Sequence, residues 1–123
     1  MYLVDTNILI QAINQIEPDY GFIQKIILKN QLYLSVIVVG EYLSRATPEE
    51  EKEIEKLIVN FPVLSVNLEE ARLAGLYRKK FLKTKRGMLL DYFLAAQAKL
   101  NDLILATHNK SDFPMKDIKI ITP

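Results

Sequence analysis

Of four carboxylates in this 123-residue chain, Asp5, Glu41, Asp91 and Asp112, three are flanked by strongly apolar sequence. Asp5 ends the opening run Met1-Tyr2-Leu3-Val4. Glu41 lies in Val38-Val39-Gly40-Glu41-Tyr42-Leu43, and Asp91 opens Asp91-Tyr92-Phe93-Leu94-Ala95-Ala96-Gln97-Ala98. Asp112 follows Leu103-Ile104-Leu105-Ala106-Thr107-His108-Asn109-Lys110-Ser111. A charge in such surroundings is costly unless something compensates it. Clusters that offer only oxygen donors are compensated by Mg²⁺ or Mn²⁺. Two carboxylates about 5 Å apart repel by roughly 3 kcal/mol at an effective dielectric of about 20. A divalent cation turns that repulsion into attraction.

The elements that must position these acids follow from the apolar pattern. Strands are expected at Tyr2–Val4, Leu32–Leu34, Val63–Val66, Leu103–Ala106 and Ile118–Ile121. Helices are expected at Thr6–Asn14, Asp19–Lys29, Ile37–Ala46, Pro48–Asn60, Leu68–Leu82 and Asp91–Leu100. The alternation implies an α/β fold with a central, mostly parallel five-stranded sheet and helices on both faces, three layers in all. Val36-Ile37-Val38-Val39 favours strand locally. Val38, Tyr42 and Arg45 keep helical spacing, so the helix is placed from Ile37.

This layout makes the acids converge. Ligands of open parallel sheets bind beyond the carboxyl ends of the strands. Asp5 is at the end of the first strand, and Glu41 lies in the first turns of the helix leaving the second. The Asn101-Asp102 turn permits only a reversal. The helix from Asp91 therefore runs antiparallel to the fourth strand and brings its amino end to the same edge. Asp112 comes a few residues past that strand.

Composition narrows the classes. One domain over residues 1–123 is expected, with half the residues apolar and enough of them for one core. The net charge of +1 excludes a polyelectrolyte, so nucleic-acid contact must come from a local patch. The absence of cysteine removes disulfides, zinc-thiolate sites and thiol nucleophiles. No apolar run reaches transmembrane length, and Asp5 interrupts the first too early for a signal peptide. A cytoplasmic location is expected.

The ordered motifs resemble those of PIN-domain ribonucleases. The resemblance rests on Val4-Asp5-Thr6-Asn7-Ile8-Leu9-Ile10, on Ser35-Val36-Ile37-Val38-Val39-Gly40-Glu41-Tyr42, on Leu90 to Ala98, and on Ala106-Thr107-His108-Asn109-Lys110-Ser111-Asp112-Phe113. It spans almost the whole chain. The stretch from Thr47 to Arg86 carries no such motif. The chain length is similar to that of VapC-type toxins of toxin–antitoxin modules. The resemblance implies an endoribonuclease dependent on Mg²⁺ or Mn²⁺. Asp5, Glu41 and Asp91 match the core metal-site acids and Asp112 the more variable fourth, with Asn109 as a competitor for that place. Thr6, Asn7 and Thr107 match supporting polar residues that orient the carboxylates. The metal would activate water and neutralise charge on the phosphorane, with a carboxylate relaying the proton. A 5′-phosphate product is implied, as are a homodimer and a small VapB-like antitoxin that places a basic side chain near Asp5 and Glu41.

Each residue also has a purely structural explanation. Asp5 and Asp91 suit helix caps. Glu41 suits an ion pair with Arg45 four residues on. Asp112 suits a loop before Pro114. His108, the one histidine, suits a surface or phosphate-contact position better than a general base. Arg78, Lys79, Lys80, Lys83, Lys85 and Arg86 put six cations in nine positions. They either complement a helix end or hold an RNA backbone. Tyr77 and Phe81, one turn apart, suit the core. Phe22, Ile23, Ile26, Ile27 and Leu28 spread widely around their helix, which suits either contact with a second chain or burial on two sides within its own monomer. Two rival enzyme classes lack their residues. A receiver domain needs an aspartate after the third strand, where Asn67 stands. A haloacid-dehalogenase-like phosphatase needs one at position 7, which is Asn7. A catalytically silent binding module of the same fold is the third rival.

Overall fold

A computed structural model describes residues 1–81 and 88–123. Five short strands, β1 (Tyr2–Val4), β2 (Leu32–Ser35), β3 (Val63–Leu64), β4 (Ile104–Ala106) and β5 (Lys119–Ile121), form one sheet in the order β3-β2-β1-β4-β5. Every pairing is parallel. Helices α1 (Thr6–Ile13) and α2 (Asp19–Leu28) join β1 to β2. Helices α3 (Val36–Leu43) and α4 (Pro48–Asn60) join β2 to β3. Helices α5 (Leu68–Phe81) and α6 (Leu89–Leu100) join β3 to β4, and a 3-10 turn at Lys110–Asp112 precedes β5. The expected parallel α/β architecture is the one observed.

The central strands are apolar because they are covered. Leu3, Val4, Leu32, Leu34, Leu105 and Ala106 are all buried, against Ile8 and Leu9 of α1, Tyr42 of α3 and Tyr92 of α6 among others. Continuous apolar strands of this kind mark a parallel sheet with both faces occupied.

Local chemistry fixes the boundaries. The Ser35 side chain accepts the Ile37 amide at 3.1 Å and caps α3. Strand β2 therefore runs one residue further than expected, and the helix starts at Val36. That helix stops at Leu43, not Ala46, because Ser44 ends it. Thr47 and Glu50 close a reciprocal capping box that starts α4 at Pro48 as expected. Helix α6 starts at Leu89, two residues before Asp91. Strand β3 keeps only two residues, and Val66 is exposed. Asp102 takes a left-handed φ of 52° in the tight reversal that turns α6 back into β4, a conformation acidic and amide side chains tolerate.

Helix α2 corrects one expectation. Ile23 and Ile26 are buried, and Phe22 and Ile27 pack against the same core. Phe22 meets Tyr2 edge-on with ring centroids 5.4 Å apart. Only Leu28 of the five is exposed, at 86%. The wide apolar spread of α2 is used mostly within its own chain.

Candidate active site

The strand order changes direction between β1 and β4. The chain winds from β1 toward β3 on one side and continues through β4 to β5 on the other. This is the topological switch point where open α/β sheets bind ligands. Asp5 leaves β1 there and Thr107 leaves β4 there. The Asp5 amide donates to the Ala106 carbonyl at 2.9 Å. The Asp5 carboxylate is divided between two tasks. Oδ1 accepts the Thr6 amide at 2.8 Å and caps α1. Oδ2 accepts the Thr107 hydroxyl at 2.7 Å. Thr107 is fully buried, and its own Oγ1 accepts the Asn109 amide at 3.0 Å. Its rotation is thereby fixed, and Asp5 is fixed through it.

Glu41 reaches the same edge from α3, where its Oε1 accepts the Thr6 hydroxyl at 3.3 Å. Asp91 is the third residue of α6. Its carboxylate accepts a hydrogen bond from the Met88 backbone, which lowers its pKa. The environment outweighs that bond and holds Asp91 at about 6, against an ordinary value of 3.8. Burial is the largest cause, followed by the negative charges of Asp112 and Asp5 and, more weakly, Glu41. Four carboxylates from four separate segments thus share one electrostatic neighbourhood. Asp112 sits half-buried in the 3-10 turn, with its amide donating to the Asn109 carbonyl at 2.9 Å and Phe113 anchored beside it in the core.

The donor set fits a hard divalent cation, being all oxygen and rich in charge. Among the described residues, no three acidic or histidine side chains stand close enough together to hold an ion without rearrangement.

The remaining candidates fall differently. Thr6 and Thr107 hydrogen-bond the carboxylates directly. Asn109 contributes its backbone amide to Thr107. Asn7 is not bonded to an acid, and its Oδ1 accepts Arg45 Nη2 at 3.5 Å. Arg45 makes no ion pair with Glu41, so the expected structural alternative for Glu41 fails. His108 is neither at the acids nor free on the surface: its Nε2 lies 2.7 and 2.9 Å from the two oxygens of Asp19, a buried residue at the start of α2. Arg78, Lys79 and Lys80 are exposed at the end of α5. Lys83, Lys85 and Arg86 lie outside the described residues. Tyr77 is in the core as expected, with its hydroxyl donating to Asp117 at 2.9 Å.

Sequence reasoning missed the Asp19–His108 pair and the cavity that Arg45 and Gln11 help to line. Asp19 looks like an ordinary first-turn acid, and nothing in the sequence says that it is buried. Arg45 was visible as the one cation near Glu41, but was weighed only as its partner.

The sequence profile of the PIN domain matches residues 2–119. Ribonuclease VapC10 of Mycobacterium tuberculosis is 29% identical over 116 residues, covering 94% of this chain and 87% of the relative. Among solved structures, VapBC2 of Rickettsia felis, bound to a DNA fragment from its promoter, superposes with a TM-score of 0.82. The identity is 18%, with 99% of this chain and 98% of the other covered. A toxin–antitoxin complex from Klebsiella pneumoniae superposes with a TM-score of 0.77 at 25% identity over 100% and 98% of the two chains. The profile covers nearly every element described above, and the fold agrees with it: the chain belongs to the PIN-domain family.

Proposed function

We propose that this chain is a single-domain, metal-dependent endoribonuclease and the toxin of a VapBC-type pair. The observation that carries the proposal is Asp91, a carboxylate pushed up to about 6 by burial and by three acidic neighbours. A structural acid is given a cation or several donors, whereas Asp91 is given like charges. The ribonuclease named among the relatives supports RNA as substrate. Asp5, Glu41, Asp91 and Asp112 would hold Mg²⁺ or Mn²⁺. Such an ion, when bound, makes water a better nucleophile and offsets charge at the phosphorus.

The chain's own residues do the rest. Thr107 and the Thr6 amide hold Asp5 in one orientation, and the Thr6 hydroxyl steadies Glu41. Asp91, held at about 6 without an ion by burial and like charge, would be drawn into its charged form by a bound cation. Arg78, Lys79 and Lys80, with Lys83, Lys85 and Arg86, supply the cations for an RNA backbone. A VapB-like antitoxin is the proposed inhibitory partner, on the likeness to toxin–antitoxin complexes. A homodimer is also proposed. Its surface shifts from α2 to α5 and α6, where Leu68, Leu76, Leu89 and Leu90 are exposed. Among the described residues no helix is long and apolar enough to cross a membrane.

The test is cleavage of a mixed single-stranded RNA pool. Cutting with Mg²⁺ or Mn²⁺ that stops in EDTA and returns on adding the ion is the expected result. Undiminished cutting in EDTA ends the metal assignment, and no cutting with either ion leaves a silent binding module.

A further inference from the structure

A cavity of ≈ 290 Å³ lies between α1 and α3, bounded by Asn7, Ile10 and Gln11 on one side and by Tyr42, Arg45 and Glu50 on the other. It adjoins the acids. Asn7 is two residues past Asp5, and Arg45 is four past Glu41. Arg45 is thus about one helical turn along the chain from Glu41. Its volume is at the lower end of small-molecule pockets, about 300 Å³, which is room enough for a planar purine base. Its floor is apolar at Ile10 and at the buried ring of Tyr42, whose hydroxyl is already spent on the Glu50 carbonyl at 2.9 Å.

Two of the polar groups around it are poorly satisfied, whereas both Glu50 carboxylate oxygens are engaged, by the Thr47 amide at 2.9 Å and by Asn14 Nδ2 at 3.2 Å. Arg45 is exposed, with only a 3.5 Å bond to Asn7 and no carboxylate partner among the described residues. Gln11 Oε1 is buried and has no hydrogen-bond partner among the described residues. A buried acceptor left unpaired is destabilising. Turning the amide toward the cavity removes that cost once a donor arrives there. The requirement is a ligand with acceptors on one edge for a guanidinium and an N–H donor on another for Gln11. Guanine meets it. Its O6 and N7 suit a bidentate Arg, and its amino edge donates. Adenine offers fewer groups, and a pyrimidine leaves space. Unstacked bases held in pockets are the usual way single-stranded RNA is read.

We propose that this cavity is a subsite for one unstacked purine, guanine above adenine, of the nucleotide next to the scissile phosphate. The proposal rests on the nuclease reading. It makes Arg45 and Gln11 specificity-determining residues.

The test has two arms. Cut sites in a randomised single-stranded RNA pool are sequenced for the wild type and for Arg45→Met and Gln11→Leu. Guanine should be enriched at least tenfold at one position flanking the cut. The preference should collapse in Arg45→Met and weaken in Gln11→Leu. In the second arm, Asp5→Asn protein binds short oligoribonucleotides that differ only by guanine or cytosine at that position, read by fluorescence anisotropy. Tighter binding of the guanine oligonucleotide, abolished by adding Arg45→Met, supports the subsite even if the wild type cuts nothing and the nuclease reading fails. The proposal is overturned by equal binding of the two oligonucleotides or by a preference that survives both variants. It is likewise overturned if Arg45→Met weakens a peptide inhibitor's grip while the cut-site preference persists, which would make the cavity a protein contact.

Discussion

Asp19 and Asp91 are both aspartates in the first turn of a helix, and their surroundings are opposite. Asp19 is the more buried, at 2% exposed, and both its oxygens face His108. Asp91 is only half-buried, yet it is the one held at about 6, because its neighbours are acids. Burial alone therefore does not distinguish a structural carboxylate from a reactive one. What distinguishes them is whether the fold supplies a compensating partner itself or surrounds the carboxylate with like charges.

The largest effect expected from breaking this contrast is on cleavage. Asp5→Asn or Asp91→Asn should lower the metal-dependent rate by more than about 100-fold, beyond the ~10–100-fold expected for Thr107→Val, which removes only an orienting hydroxyl. Single-turnover assays on one RNA measure both. A near wild-type rate for Asp91→Asn would remove Asp91 from the site.

Breaking the other half of the comparison should cost stability and spare cutting. His108→Ala leaves Asp19 buried without its partner. The expected loss is about 2 kcal/mol, below the ~3–5 kcal/mol of a fully buried pair because the His108 side chain is 33% exposed. Urea denaturation measures it, and the double variant with Asp19→Asn should regain part of the loss. Cleavage per folded molecule should be retained.

A smaller effect of opposite sign is expected at Asp91. Its folded-state pKa is raised from 3.8 to about 6, so the folded chain holds that proton more tightly than the unfolded one. The stability of the metal-free protein should fall as pH rises through this window. Asp91→Asn should then be more stable than wild type by about 1 kcal/mol above pH 6, discounted for a half-exposed group. The advantage should vanish below 3.8, where both side chains are neutral. Thermal melts in EDTA across this range test the sign, and a variant less stable at neutral pH would contradict the like-charge account.

The smallest effect expected is on RNA affinity. Each of Lys79→Gln and Lys80→Gln should remove ~0.7 from the slope of log affinity against log salt. An unchanged slope would assign the α5 end to solubility or to a protein contact.

The acids and their meeting edge were legible because strand order and apolar runs dictate them. Asp5 follows a three-residue strand, and the Asn101-Asp102 reversal leaves α6 only one direction. Two structural explanations also hold without displacing the functional one. Asp5 does cap α1, but with one oxygen, which leaves the other for Thr107. Asp91 does close onto the Met88 backbone. Other features were hidden because they depend on contacts between distant segments. His108 and Asp19 are 89 residues apart, and no local pattern announces their pairing. The α2 side chains misled for a related reason. Apolar periodicity shows how much of a helix is covered, not by which chain, and here the helix packs on β1 and α1 of its own chain.

The bond between Thr107 and Asp5 joins positions 102 residues apart, and it has a meaning in time as well as in space. During synthesis β1, α1 and α3 emerge early, carrying Asp5 and Glu41, while Asp91, Thr107 and Asp112 follow much later. A chain still attached to the ribosome before β4 has emerged holds at most a fragment of the acid set, with Asp5 unsteadied. The parallel order β2-β1-β4 therefore delays assembly of the site until most of the chain has been made. If the protein cuts RNA, the message and ribosome that produce it are shielded from that activity while most of it is being translated.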